Sequence, residues 1–561
     1  MERTAEPTQP TKGSIAERAA LHLRLWRWVD KNFLDLGREL RLSYLPPLMV
    51  YMAAGISGLT AIVGTFFVKD YLGLSAAFLA ALGFWAGIPW ALKMPIGHVV
   101  DLVWRWKSAL VFVGAGLIAA SCAIMVLLIS DREAMTAIMS AEAWYVMAEL
   151  LAPIGYVVQD AVADAMTVEA VPRADDAGKP IDPERQKLMH TTMQTLGRVA
   201  IIGGSVLVAL INYYVFSGTE TLPDAAKARI YADVYLMALS IPVISVVGVV
   251  IAEILKWREK RRLAAQGKSA EEVKRLTDVQ ESPPAPNWWI LGGSAVFVIF
   301  TLAVGLGDLP YNQEIIFAGS FAIVSFLVWR LTRILDPASR ETLIGTAIVI
   351  FVFRAMPTAG PGATWWSIDV LGFDQQFFSV LDLTASALTL AGMFLFRRFM
   401  AEHSITYIVG WLTVAGAILS VPYVAMYYGF HEWAARMTGG IVDARFIAIV
   451  NTALASPLGQ IAMIPMLAWI ARCAPNDLKA TFFAVMASFT NLALSLAQLG
   501  TKYLNEIYVV TREVKDPATR AVKVAADYSQ LGDLLIVSLV VGLVVPFAAI
   551  LIVRLVGLRT A

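Results

Sequence analysis

Apolar residues in this chain fall into runs of about 20, the length at which a helix spans a hydrocarbon core of roughly 30 Å. Six such runs lie near residues 44–68, 75–97, 108–130, 144–168, 190–215 and 231–255. A charged, Pro-rich stretch from Trp257 to Asn287 follows and reads as a loop on the membrane surface. Two further runs, 288–306 and 312–332, are separated by a short polar turn. Six more lie near 342–360, 376–396, 404–428, 441–470, 478–504 and 531–556. The pattern predicts fourteen spans arranged as six, two and six.

Positive charge tests that count, because loops on the cytoplasmic side collect Lys and Arg. The stretch before the first run holds eight, among them Arg24, Arg27 and Arg41, and every second loop after it is basic. Those loops carry Arg105 and Lys107, then Arg173 to Lys187, the 257–287 stretch, Arg330 to Arg340, Arg397 with Arg398, and Arg472 with Lys479. The 307–311 and 361–375 loops have no Lys or Arg. The 505–530 segment departs from the rule with Arg512, Lys515, Arg520 and Lys523. Both termini are expected in the cytoplasm, in a bacterial inner membrane. The organisation expected is a cytoplasmic segment 1–43, a six-helix bundle 44–256, a linker 257–287, an inserted hairpin 288–333 and a second six-helix bundle 342–556. Within the first segment, residues 15–33 alternate Leu and Trp with Arg and Lys as an amphipathic surface helix or a solvated leader helix would. No cleavable leader is expected there, since residues 1–40 are polar and basic.

The two halves also echo one another. Pro153-Ile154-Gly155 precedes an apolar run ending at Pro172, and Pro457-Leu458-Gly459 precedes one ending at Pro475. A weak internal repeat of six-span halves marks secondary transporters.

Composition agrees. Of 561 residues, 58% are hydrophobic and 16% charged, against about 25% charged in soluble domains. A net charge of +1 excludes nucleic-acid binding through bulk basicity. Cys122 and Cys473 lack metal-ligand spacing, and His22, His98, His190, His403 and His431 are scattered. No nucleotide-binding Gly-rich motif and no nucleophile with a base partner is found, so an enzyme, a cofactor or a metal is not expected.

Between the second and third spans the chain reads Gly97-His98-Val99-Val100-Asp101-Leu102-Val103-Trp104-Arg105-Trp106-Lys107. Gly97 is read as the exit from the helix, with Asp101, Arg105 and Lys107 as a charged latch that breaks when the halves rock. The alternative is a loop whose basic residues only fix orientation. This stretch resembles the signature loop of the major facilitator superfamily. Three longer stretches resemble the folate–biopterin transporter family: Phe67 to Leu74 leading to Pro89-Trp90-Ala91-Leu92-Lys93; Gln159-Asp160-Ala161-Val162-Ala163-Asp164 onward to Glu169; and Arg472-Cys473-Ala474-Pro475 leading to Ala480-Thr481-Phe482-Phe483 and Asn491. The chain departs from that family's pattern at Lys93-Met94-Pro95, where Lys-Pro is usual, at Lys479, where an acid is usual, and in the inserted hairpin. The resemblance implies an all-α polytopic membrane protein with the major facilitator fold. It further implies proton-coupled uptake of a folate, a pterin or a related organic anion. Another solute, export, and a non-transporting role in pigment assembly stay open.

Ionisable groups inside a span cost about 2.5–3.5 kcal/mol on insertion scales and face a cavity or a partner. Asp160 and Asp164 stack on one helix face with Pro153 and Tyr156. Double ionisation is disfavoured there, which suits proton coupling. A structural ion pair with Lys93, at nearly the depth of Asp164, is the competing reading. Arg354 lies near mid-membrane, just before Pro357 and Gly360, which can break the helix. It is a candidate receptor for an anionic group, or a partner for Asp382 in the next span. Arg198 is a weaker candidate of the same kind. Asn451, Gln460, Asn491 and Gln498 are assigned to interhelical hydrogen bonds.

Overall fold

A computed structural model of the chain describes residues 40–560, apart from 73, 92, 176, 178, 278–287, 308, 334, 460, 462–478 and 516–521. The amphipathic segment 15–33 and the Arg472 to Pro475 stretch lie outside the described residues.

Helix α1 (Leu45–Ile56) runs through a short 3₁₀ turn into α2 (Ala61–Tyr71), and together they form one long apolar crossing. Next come α3 (Ala76–Ala91), α4 (Lys93–Leu102), α5 (Lys107–Ser130) and α6 (Ala141–Ala170). Helices α7 (Pro183–Val215), α8 (Asp224–Ala238) and α9 (Ser240–Ala265) complete the first group. The hairpin is α10 (Trp288–Leu306) and α11 (Asn312–Thr332). The second group holds α12 (Pro337–Arg354), α13 (Pro361–Asp369), α14 (Gln375–Leu395), α15 (Ile405–Tyr427), α16 (Ala444–Ala455), α17 (Lys479–Ile507) and α18 (Leu531–Leu555). A two-stranded ribbon, β1 (Val514–Lys515) with β2 (Val522–Val524), lies between the last two.

Helix starts coincide with polar caps. Ser140, Asp336, Ser404 and Asp443 each accept a backbone N–H of the first turn, at 3.3, 2.9, 3.3 and 2.8 Å. These bonds satisfy first-turn amides that have no partner within the helix. Helices α5 and α6 cross at Gly114 and Gly155, where a Cβ on either would lie under 3 Å from the other's carbonyl oxygen. Several apolar cores result, among them one inside the first group around Val63, Ile118 and Val234 and another around Ile350, Leu492 and Phe84.

Among the described residues, ten helices are long and apolar enough to cross a membrane, and two shorter apolar ones accompany them. All fourteen apolar runs contain a helix, and among the described residues ten candidate crossings meet that length and composition. The 361–375 stretch, expected as a loop, begins with α13. The 441–470 run does not stay one helix: α16 ends at Ala455 and passes into a 3₁₀ turn at Ser456–Leu458.

The groups meet along α3 with α17 and α7 with α14. At the end opposite the basic loops, Lys69 of α2 pairs with Asp369 of α13 at 2.5 Å, and the Gln375 amide donates to the Tyr231 hydroxyl at 2.8 Å. Arg512, before the ribbon, donates to the carbonyls of Leu72 and Leu74 and lies 4.6 Å from the Trp365 ring. That explains one exception to the charge rule: Arg512 is 2% exposed and acts as a clasp rather than an orientation signal. The hairpin packs on the second group, where Glu314 of α11 meets Lys502 at 3.2 Å and accepts from Tyr503 at 2.5 Å.

Candidate functional site

One face of α6 carries Glu149, Pro153, Tyr156, Asp160 and Asp164, spaced by three or four residues so that they stack along the helix. Lys93 opens α4 beside the end of that stack. Its Nζ lies 2.5 Å from Asp160 and 2.9 Å from Asp164, and the Tyr51 hydroxyl of α1 donates to Asp164 at 2.5 Å. One ammonium therefore serves two carboxylates. The Asp160 side chain is 13% exposed and that of Asp164 48%, so the first is the inner and the second the outer member. Arg198 on α7 is exposed; its charge acts on Asp160 and Tyr51 through space without a direct ion pair among the described residues. Sequence reasoning missed Tyr51, a tyrosine in an apolar helix with no distinguishing neighbour.

The Gly97–Lys107 stretch is built differently from expectation. Gly97 lies inside α4, which continues to Leu102, and a side chain there would meet nothing within 4 Å. It is not the exit from the helix; the turn falls at Val103. Arg105 is exposed, and the Asp101 side chain lies outside the described residues. Lys107 is buried, 2.8 Å from Glu169 and 4.3 Å from the Trp104 ring, while Lys256 approaches the same Glu169 at 3.5 Å. All of these contacts stay inside the first group.

Arg354 ends α12, where a cation complements the helix C-terminus. Its Nε is buried without a hydrogen-bond partner among the described residues. The alternative pairing with Asp382 of α14 is not made; that carboxylate is exposed and in no ion pair among the described residues. After Arg354 the helix breaks, as Pro357 and Gly360 foretell. Helix α17 satisfies the freed backbone: Thr358 N–H donates to Thr501 at 3.0 Å, and the Asn505 amide donates to the Ala359 carbonyl at 3.2 Å. Gly360 has φ +72°, and a Cβ there would lie 2.8 Å from Thr501. Of the polar residues assigned to interhelical bonds, Asn491 donates to the Trp90 carbonyl at 3.2 Å, whereas the Asn451 Oδ1 is buried without a partner among the described residues. Gln460 lies outside the described residues.

Beside the break is a cavity of about 570 Å³, within the roughly 300–1,000 Å³ usual for small-molecule sites. Its walls include Tyr145, Tyr156, Tyr235 and Cys122 of the first group, with Pro361, Thr364 and Trp365 of the second. One carboxylate, Glu149, lines it, one turn from Tyr145 on the same helix. No Lys, Arg or His is among the described lining residues. Sequence reasoning followed the α6 face from Asp164 back to Pro153 and stopped one turn short of Glu149.

Apolar crossing helices, a broken helix beside a cavity and ionisable groups paired within the spans are features of membrane transporters. Solved structures agree on the fold. A POT family transporter in complex with 5-aminolevulinic acid superposes with a TM-score of 0.57 at 11% identity, covering 92% of this chain and 96% of that one. A peptide transporter POT gives 0.52 at 15% identity, covering 92% and 95%. The fold is that of the major facilitator superfamily.

The chain belongs to the BT1 family, whose family model matches residues 54–558. A folate-biopterin transporter of Synechocystis is 23% identical over 469 residues, covering 82% of this chain and 74% of that protein. A putative folate transporter 2 of Plasmodium berghei is 23% identical over 181 residues, covering 31% and 37%.

Proposed function

We propose that this transporter takes up a folate, a pterin or a related organic anion together with protons, by alternating access across a bacterial inner membrane. Both termini face the cytoplasm in this reading. The observation that carries it is the Lys93 ammonium shared between Asp160 and Asp164. A shared cation of this kind is a switch: adding a proton to either carboxylate weakens its hold on Lys93, and a freed ammonium attracts an anionic group. Proton arrival and anion arrival thereby favour each other. Arg354 and Arg198 are the further receptors for substrate carboxylates, and Asp382 is their acidic counterpart on α14.

The bundles 44–256 and 342–556 rock about the cavity beside the broken helix. The Lys69–Asp369 pair and the Arg512 clasp close the end opposite the basic loops, so substrate released in this state leaves toward the cytoplasm. Lys107, bound to Glu169, stiffens the first bundle as it moves, with Arg105 in the adjoining turn and Gly97 and Asp101 in the helix before it. The hairpin rides on the second bundle through Glu314 and Lys502.

Uptake of labelled folate by purified protein in liposomes tests the proposal. Accumulation stimulated by an inward proton gradient is expected. Folded protein that moves no folate under either condition would overturn the substrate, and gradient-independent uptake would overturn the coupling.

A further inference from the structure

The cavity chemistry points to how the substrate lies. An organic anion would be expected to meet a cation, yet the cavity has Glu149 as its ionisable wall and no basic residue lining it. A carboxylate offers about four acceptor sites and no donor. Tyr156, Tyr235 and Trp365 supply flat walls on which a ring can lie.

We infer that this cavity binds the heterocyclic head of the substrate, a 2-amino-4-oxopteridine, with Glu149 accepting the parallel N–H bonds of the ring N3 and the exocyclic amine. This assignment rests on the folate or pterin reading above and specifies which end of the ligand goes where. With no cation among the described lining residues, the anionic tail is placed outside the cavity. It extends along α6 toward Lys93: eleven residues separate Glu149 from Asp160, about 16 Å of helix, which matches the reach of a pteroylglutamate. Head recognition and charge pairing thus fall at separate places on one helix face.

The experiment compares equilibrium binding of three probes by the purified full-length protein: pterin, lumazine (the same ring with a carbonyl in place of the amine) and p-aminobenzoylglutamate, the tail alone. Wild-type protein is expected to bind pterin roughly tenfold or more tightly than lumazine, since lumazine leaves one carboxylate oxygen unpaired. Glu149→Gln should weaken pterin by a similar factor, erase the preference over lumazine and leave the tail probe unchanged. The wild-type comparison needs no variant to fold. Equal binding of pterin and lumazine by wild type, or undiminished pterin binding by Glu149→Gln, overturns the inference. If folate is transported while either result is found, the carrier reading survives and only the head assignment falls. If none of the probes nor folate binds, both fall.

Discussion

Lys93 contacts two carboxylates whose own charges repel, so each of the three depends on the others. Breaking a buried ion pair from one side costs about 3–5 kcal/mol, because the remaining charges lose compensation. Lys93→Gln is therefore expected to lower thermal stability in detergent markedly. The double variant Lys93→Gln with Asp160→Asn should recover most of the loss, which a thermal-unfolding comparison of single and double variants reads directly. Equal destabilisation by the double variant would show that the pair is not the source. Tyr51→Phe removes the bond to Asp164 and should cost about 1–2 kcal/mol, with folding retained. The carboxylates and the lysine were legible from the sequence because charge inside an apolar run is conspicuous. Tyr51 was not, because tyrosine is ordinary there, and Glu149 was passed over although it continues the same period.

At the scale of elements, the break between α12 and α13 is the feature with most consequence. Pro357 and Gly360 announce it, since one lacks an amide hydrogen and the other tolerates φ +72°. Gly360→Ala should destabilise by about 1–3 kcal/mol and reduce transport more than it reduces protein yield, because the left-handed backbone and the approach of Thr501 coincide there. An alanine variant with full stability and uptake would remove the break from the mechanism. The helix beyond the break was not legible: Pro361–Asp369 has nine residues, too few for a span and free of basic charge, so it read as a loop. Gly97 misled in the opposite sense. A glycine near a helix end suggests an exit, but the helix runs five residues further. Ridge packing at Gly114 and Gly155 was likewise hidden, since only the crossing of α5 and α6 shows why a side chain would not fit.

The whole molecule is held shut at one end by contacts between sequence-distant segments. Asp369 takes the Lys69 ammonium and, at 2.5 Å, the Tyr528 hydroxyl. Burial, followed by the Asp369 carboxylate, pushes the Tyr528 phenol up from its ordinary value, so it remains a donor at physiological pH. Asp369→Asn should loosen this end and expose the cavity. Cys122, which lines the cavity, reports on it: in a Cys473→Ser background, a membrane-impermeant thiol reagent applied from outside should label the Asp369→Asn variant several-fold faster than its parent. Unchanged labelling would place the restraint elsewhere. The fold class was legible at this scale from run length and alternating loop charge. The Arg512 clasp was not, because a basic residue in an outer loop reads as an exception until its carbonyl partners are seen.

The central claim, that Lys93, Asp160 and Asp164 couple proton to substrate, is tested most directly by comparing two modes of transport in the Asp160→Asn variant. Exchange of labelled for unlabelled folate at equal pH needs binding and rocking but no net proton movement, whereas accumulation under an inward proton gradient needs all three. The variant is predicted to keep exchange and to lose gradient-driven accumulation. Retention of both, or equal loss of both, would contradict the assignment.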